Sequence, residues 1–177
     1  MDFFEKFQFC PACGSPFFIK NNEKSKRCQQ CGFVFYMNAS AAVAAFILNE
    51  KNELLVCKRK KEPAKNTWDL PGGFVDNNET AEAAVKRELA EELHAETVQV
   101  EYLFSEPNEY EYSDLVVPTL DLFFLCCLKD ESQLIPSDDV EDCFYVALDK
   151  LEPGYFGLKS IRKAIIRFLE LNLGKTE

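Results

Sequence analysis

The sequence predicts an α/β fold, a mixed sheet with helices on both faces, preceded by a small metal-stabilised module. Three observations lead there: two Cys-x2-Cys-Gly knuckles within the first 32 residues, a series of apolar strand-like runs, and two helical stretches. One of those helical stretches is crowded with glutamates.

The N-terminal module comes first. Cys10-Pro-Ala-Cys13-Gly14 and Cys28-Gln-Gln-Cys31-Gly32 are separated by fourteen residues. That spacing suits a tetrahedral Zn²⁺ held by four thiolates, and the trailing glycines let the backbone turn tightly around the sulfurs. A segment this short cannot build a core of its own, and zinc supplies what it lacks. Two disulfides would use the same residues, but an intracellular compartment disfavours them. Residues 1–36 are therefore predicted to be a zinc ribbon, with a second domain over 37–177 after a junction at Phe35-Tyr36-Met37-Asn38. Cys57, Cys126, Cys127 and Cys143 lie in apolar runs at irregular distances and are expected to be buried, unpaired hydrophobes.

In the second domain, 41–48 and 53–59 read as strands around an Asn49-Glu-Lys-Asn52 turn, hence a hairpin. A helix follows the Gly72-Gly73 turn, with Asn77 or Asn78 as its N-cap. Further strands are predicted over 97–104, 119–128 and 143–147. A last helix, over 158–171, carries Ile161, Ala164, Ile165, Phe168 and Leu169 at helical spacing, with Lys159, Arg162, Lys163 and Arg167 outside.

Composition narrows the class. Hydrophobic residues make up 47%, with 16 Phe, enough for a substantial core. No apolar run approaches the ~18 residues of a membrane span, and the N-terminus lacks the pattern of a secretory signal. Soluble and cytoplasmic is the expectation. A net charge of −10 argues against bulk nucleic acid as the main ligand, though not against a small phosphorylated one. In the ribbon, Lys6, Lys20, Lys24, Lys26 and Arg27 outnumber Asp2, Glu5 and Glu23 by two. That excess is small for a nucleic-acid module, so a role in stability or assembly is expected, with phosphate contact as the alternative.

The glutamate-rich helix carries the chemistry. At about 100° per residue, Glu88 and Glu92 lie one turn apart on one face, with Glu91 beside them. Val85, Leu89 and Leu93 form an apolar stripe next to that arc. Three crowded carboxylates repel one another unless a cation sits among them, and hard oxygen ligands suit Mg²⁺ or Mn²⁺. The plainer alternative is a solvated face with ordinary pairs such as Arg87 with Glu91.

Gly73, five residues, Glu79, seven residues, then Arg87-Glu88-Leu89-x-Glu91-Glu92 resembles the Nudix box of nucleoside-diphosphate-X hydrolases, and Trp68 and Leu70-Pro71-Gly72 before it fit as well. One position departs, since His94 stands where the family usually has a helix-ending glycine. A strained left-handed cap or an extra half turn is expected there. A catalytic histidine is the weaker reading of that residue. The ribbon is similar to the one preceding the catalytic domain of NADH pyrophosphatases.

The resemblance implies the Nudix-type fold and a set of roles. Glu88, Glu91 and Glu92 would hold Mg²⁺ or Mn²⁺ together with the Gly72 carbonyl, and one glutamate would double as general base. Arg87 would orient a glutamate, while Gly73 and Glu79 would anchor the loop before the helix. A late carboxylate is implied in Asp138-Asp139-Val140-Glu141, where Asp139 is one methylene shorter than the usual glutamate and would reach metal through water. Glu109, Glu111 and Asp114 compete for that role, and an exposed acidic loop is the alternative. In Ser105-Glu106-Pro107-Asn108 the serine and proline of the NADH pyrophosphatase stretch remain, but its glutamine and tryptophan are absent. That departure weighs against a strict NADH specificity. Tyr110 and Tyr112 could stack on adenine or pack locally.

The expected function is hydrolysis of the pyrophosphate bond in ADP-ribose, ADP-sugars or NADH-like dinucleotides. Nucleotide-capped RNA is a rival substrate, and a non-catalytic nucleotide sensor is the rival from another class. A homodimer is left open.

Overall fold

A computed structural model describes residues 3–173. Asp2 and the outer ends of both predicted domains, 1–2 and 174–177, lie outside the described residues. The chain divides into two compact units. One takes the chain up to Ser40 with Glu109–Thr119, and the other takes Ala41–Asn108 and the chain from Leu120 onward.

In the first unit a short helix, α1 (Phe3–Lys6), precedes an antiparallel sheet of β1 (Phe18–Asn22), β2 (Ser25–Cys28) and β3 (Val34–Tyr36), in that order. Phe35 and Tyr36, expected at the junction, therefore belong to the ribbon sheet. The knuckles repeat one backbone pattern. Cys10 N–H donates to Ser15 O and Gly14 N–H to Cys10 O, just as Cys28 N–H donates to Phe33 O and Gly32 N–H to Cys28 O. Each closing glycine has positive φ, 71° at Gly14 and 78° at Gly32, a conformation that costs other residues about 1 kcal/mol or more. Cys10, Phe18 and Cys28 form a small core with Phe35, and Phe3 and Phe7 lie against the Phe35 ring. Lys26 is buried beneath this face. Its Nζ donates to the carbonyls of Phe4 and Phe7, which compensates the desolvated ammonium.

The second unit holds β4 (Ser40–Phe46), β5 (Glu53–Arg59), β6 (Trp68–Asp69), β7 (Gly72–Phe74), α2 (Ala81–Leu93), β8 (Thr97–Tyr112), β9 (Leu115–Leu128), β10 (Val140–Ala147) and α3 (Lys159–Leu173), apart from Ser40 and the β8–β9 tip. They form sheets ordered β7-β4-β9-β8 and β10-β5-β6. The predicted hairpin around 49–52 is present only at its closed end. Leu48 bridges Leu54 and Leu55 N–H donates to Ile47 O, after which β4 and β5 part into different sheets.

Both faces of these strands are buried, and the alternation shows it. Val43, Ala45, Ile47, Leu55 and Cys57 pack with Val85, Leu89 and Leu93 of α2. The intervening Ala44, Phe46, Leu54 and Val56 pack with Ile161, Ala164, Ile165 and Phe168 of α3. Phe46 stacks on Phe168 with ring centroids 4.0 Å apart. Successive side chains of a strand point to opposite faces, so the two helices cover opposite sides, as the sequence predicts.

Two expectations need correction. The strands predicted over 97–104 and 119–128 run on to Tyr112 and back to Leu115, turning at Ser113-Asp114. Acids, Pro107 and exposed positions interrupt the apolar pattern there, and β8 is an edge strand, where proline is tolerated. Of the four remaining cysteines only Cys57 and Cys126 are buried; Cys143 is half-buried and Cys127 exposed. Among the described residues no helix is long and apolar enough to cross a membrane.

Candidate functional site

The site is assembled where β7 meets α2. The helix is capped by Thr80, whose extended backbone (φ −85°, ψ 157°) lets Oγ1 accept from Ala83 N–H. Neither Asn77 nor Asn78 is the cap. Asn78 takes positive φ (64°) within the preceding turn, which is incompatible with an N-cap. Glu79 Oε2 accepts from Asp76 N–H at 3.0 Å and closes that turn.

Arg87 is the hub of the acidic face. Its Nε and Nη2 donate to the two oxygens of Glu79 at 3.0 and 2.9 Å, a bidentate pair. Nη1 donates to Glu88 (2.8 Å) and Glu91 (3.2 Å), and Nη2 also reaches Phe74 O (2.9 Å). The Arg87 bonds hold the Glu79 carboxyl below its ordinary range. Burial pushes Glu88 up despite the same arginine. Glu92 is 6% exposed, and desolvation raises its carboxyl to about 9, opposed by the Gly72 N–H donated to Oε2 at 2.9 Å. The contact from Gly72 to the glutamates is thus its N–H.

The glycines make room for these carboxylates. Gly72 pairs with Ala44 and Gly73 with Val43. A Cβ on Gly72 would lie 2.1 Å from Val43 O, and one on Gly73 2.4 Å from Glu88 Oε1. Gly72→Ala is therefore expected to destabilise the fold by about 3 kcal/mol or more, because backbone blocks it and φ is +150°. Gly73→Ala should cost less stability, since the Glu88 side chain can give way, but should lower turnover at least about tenfold by displacing that carboxylate. Thermal unfolding and steady-state rates for both variants separate the effects; equal stability losses would contradict the packing argument.

His94 ends α2 in the left-handed region (φ 54°, ψ 31°), its N–H donating to Ala90 O. The remaining carbonyls of the last turn are all taken by one segment. Ile135 N–H donates to Leu93 O, Ser137 N–H to Glu92 O, and Ser137 Oγ to Glu91 O. His94 Nδ1 lies 3.2 Å from Ile135 O, so the imidazole serves this cap. The same segment leads into Asp138 and Asp139, which pair with Lys61.

A buried acid beside the glutamates escaped the sequence reading. Asp69, 7% exposed, pairs with Arg59, and burial raises its carboxyl above the usual range. Asp69, Glu88 and Asp139 all push Glu92 further up, so four carboxylates share one field. A lone Asp between Trp68 and Leu70 carries no sequence signal of this. Tyr110 and Tyr112 lie at the end of β8, in the unit with the ribbon; Tyr110 is half-buried and Tyr112 exposed. Glu109, Glu111 and Asp114 belong to that same unit.

Two donor sets can be compared with the metals they would hold. Cys10 Sγ lies 3.7 Å from Cys31 Sγ, and Cys13 Sγ 3.7 Å from Cys28 Sγ. All four sulfurs fall within 4.8 Å of one another. A tetrahedron with Zn–S bonds of about 2.3 Å has edges of about 3.8 Å, so the sulfurs fit zinc. Cys31 N–H, 3.5 Å from Cys28 Sγ, lowers that thiol and favours the thiolate. The glutamates are not drawn together in this way, because Arg87 holds Glu88 and Glu91 while Gly72 holds Glu92. Their fit to a divalent cation lies in the chemistry of the donors: hard oxygens, mutually repelling and partly desolvated.

The NUDIX domain model matches residues 38–168. The chain belongs to the Nudix family. Residues 5–36 match the NADH pyrophosphatase zinc ribbon domain. Among similar proteins, the "NAD-capped RNA hydrolase NudC" of Deinococcus radiodurans is 32% identical over 68% of this Nudix chain and 44% of its own length. The protein of the same name from Chromobacterium violaceum is 28% identical over 93% of this chain and 59% of its own. The chain thus spans about half the length of these relatives. A Nudix hydrolase structure from Nitrosomonas europaea shares the fold at a TM-score of 0.70, with 24% identity over 92% of this chain and 90% of that one.

Proposed function

We propose that this Nudix protein is a Mg²⁺- or Mn²⁺-dependent pyrophosphohydrolase acting on nucleoside diphosphate derivatives such as ADP-ribose, ADP-sugars or NADH-like dinucleotides. The observation that carries the reading is the set of α2 carboxylates held against Gly72-Gly73 with Arg87 fixed by five hydrogen bonds. Glu88, Glu91 and Glu92 would hold the cation with the Gly72 carbonyl, and Asp139 would take part through water. When bound, the cation offsets charge on the phosphoryl oxygens and acidifies a water. Arg87 positions Glu88 and Glu91, and Glu79 and Gly73 keep the preceding loop in place. A glutamate of the trio takes the proton of the attacking water. One water is consumed, one P–O bond of the anhydride breaks, and two phosphate monoesters result. Tyr110 and Tyr112 are offered as ring surfaces for the base. Residues 1–36 form the structural zinc module and 37–177 the catalytic domain of a cytoplasmic protein that could pair with itself.

A second reading, a dinucleotide cap on RNA as substrate, is favoured by the ribbon match and the names of the relatives. A steady-state panel with Mg²⁺ tests both: ADP-ribose, an ADP-sugar, NADH, and a short RNA carrying an NAD cap. Mononucleotide products from at least one are expected. Saturable binding without any product would point to a sensor and overturn the proposal.

A further inference from the structure

Two cysteines that the zinc and glutamate sites leave unused face each other across a sheet. In the order β10-β5-β6, Cys57 of β5 pairs with Cys143 of β10 on one side and with Asp69 of β6 on the other. Hydrogen-bond direction tells what kind of pair the cysteines make. Leu55 N–H donates to Ile47 O and Arg59 N–H to Thr67 O, both away from β10, whereas Lys60 N–H donates towards it, to Asp139 O. Backbone groups along an antiparallel strand turn to alternate sides, so Cys57 N–H points towards β6 with Leu55 and Arg59. The Cys143 N–H is in turn taken by the Asp142 carboxylate at 2.9 Å. Cys57 and Cys143 are therefore a non-hydrogen-bonded pair, the closer kind, with Cα atoms about 4.5 Å apart. A disulfide accepts a Cα spacing of about 4.4–6.8 Å. Cys126, the other buried thiol, belongs to β9 in the neighbouring sheet.

We propose that Cys57 and Cys143 form a reversible disulfide, a redox-sensitive modification site that governs the neighbouring carboxylates. Its effect on turnover rests on the hydrolase reading; the bond itself does not. Both side chains lie on the α2 face, Cys57 buried with Val85, Leu89 and Leu93, and Cys143 packed against that cluster. Burial raises the Cys57 thiol well above its ordinary range, and the charges of Glu92, Cys143 and Asp69 add to that, so the dithiol stands beside the buried acids. Half-buried Cys143 is the thiol that a small peroxide reaches first. Its thiolate attacks one peroxide oxygen, giving a sulfenic acid and releasing hydroxide. The Cys57 sulfur then displaces the sulfenic hydroxyl, which leaves as water with the Cys57 proton. In sum, two thiols are oxidised to one disulfide and the peroxide is reduced to two waters. Because burial raises both thiols, the reaction should be slow at neutral pH and quicken as pH rises. A bond made near the short end of the Cα range is strained, and strained disulfides are readily reduced again. Closing it draws Cys57 Sγ along the sheet, away from Val85 and Leu89, and the turn of α2 that carries Glu88 and Glu92 loses part of its support.

The test treats the full-length, zinc-loaded protein with hydrogen peroxide and follows mass, zinc and turnover. Each chain should lose about 2 Da, with peptides bearing Cys57 and Cys143 linked and the zinc retained. Dithiothreitol should restore the mass. Turnover of the dinucleotide that the reduced protein cleaves should fall at least about threefold on oxidation and recover on reduction. Cys143→Ala should form no link and keep its turnover under the same treatment, while Cys127→Ser, at the exposed thiol, should respond like the parent. Absence of the Cys57–Cys143 link overturns the proposal, as does a mass loss that maps to the ribbon cysteines and releases zinc. A link that forms with turnover unchanged, or a loss of turnover that persists in Cys143→Ala, overturns its control of the carboxylates. Failure of the hydrolase reading registers separately, as no turnover in the reduced protein, because the link is read by mass alone.

Discussion

Glu92→Gln is expected to lower turnover by roughly two to four orders of magnitude while leaving the fold as stable as before, or more so. A neutral amide cannot replace an anionic metal ligand, and such ligands contribute several kcal/mol to the transition state. The fold should tolerate the change because burial already favours the neutral acid, and a glutamine oxygen can still accept from Gly72 N–H. The sign of the pH effect follows. The folded-state carboxyl is raised from 4.5 to about 9, so between those values the folded chain holds a proton that the unfolded chain has lost. Stability supplied by that proton is full below about pH 4.5 and is lost as pH rises towards 9, at up to about 1.4 kcal/mol per pH unit from this group. Urea unfolding at pH 6, 7, 8 and 9 without divalent cations should show the decline in the parent protein and its reduction in Glu92→Gln. Glu91→Gln, at a half-exposed position, should likewise cost turnover. Unchanged rates in both variants would remove the glutamates from the proposed chemistry.

Cys10→Ser should release zinc and unfold the ribbon. Structural zinc contributes about 10–16 kcal/mol of apparent binding energy in finger peptides, far more than a core of three buried residues can replace. Metal analysis should find one zinc per chain before the substitution and much less after it. Hydrogen exchange should show protection lost across 10–36 first. Absence of zinc from the parent protein would contradict the assignment, and so would full ribbon protection in Cys10→Ser.

What could be read from sequence followed from how local each signal is. Cysteine spacing and the knuckle glycines are short-range, and the four sulfurs converge in the structure. The apolar runs of β4, β5 and α3 are dense enough to reveal elements buried on one or both sides. Thr80 was missed because two asparagines upstream mimic an N-cap, and only the backbone distinguishes them. The outer part of β8–β9 was missed because an exposed edge strand with proline and acids has no apolar alternation. Asp69 and the Ser137 cap depend on contacts between distant segments, which no local pattern encodes. A count of basic residues in the ribbon likewise cannot tell that Lys26 is buried against carbonyls and Arg27 exposed.

The way α2 ends has a consequence for how this chain can vary. Since Ile135 and Ser137 hold the final carbonyls of the helix, the stretch before Asp139 is tethered to the turn that bears Glu91 and Glu92. Extra residues inserted at 130–133 would be absorbed as a longer surface excursion, whereas a single residue added between Ser137 and Val140 would throw the later acid out of step with the earlier ones. Evolution or engineering can therefore lengthen one side of this clasp freely and the other hardly at all.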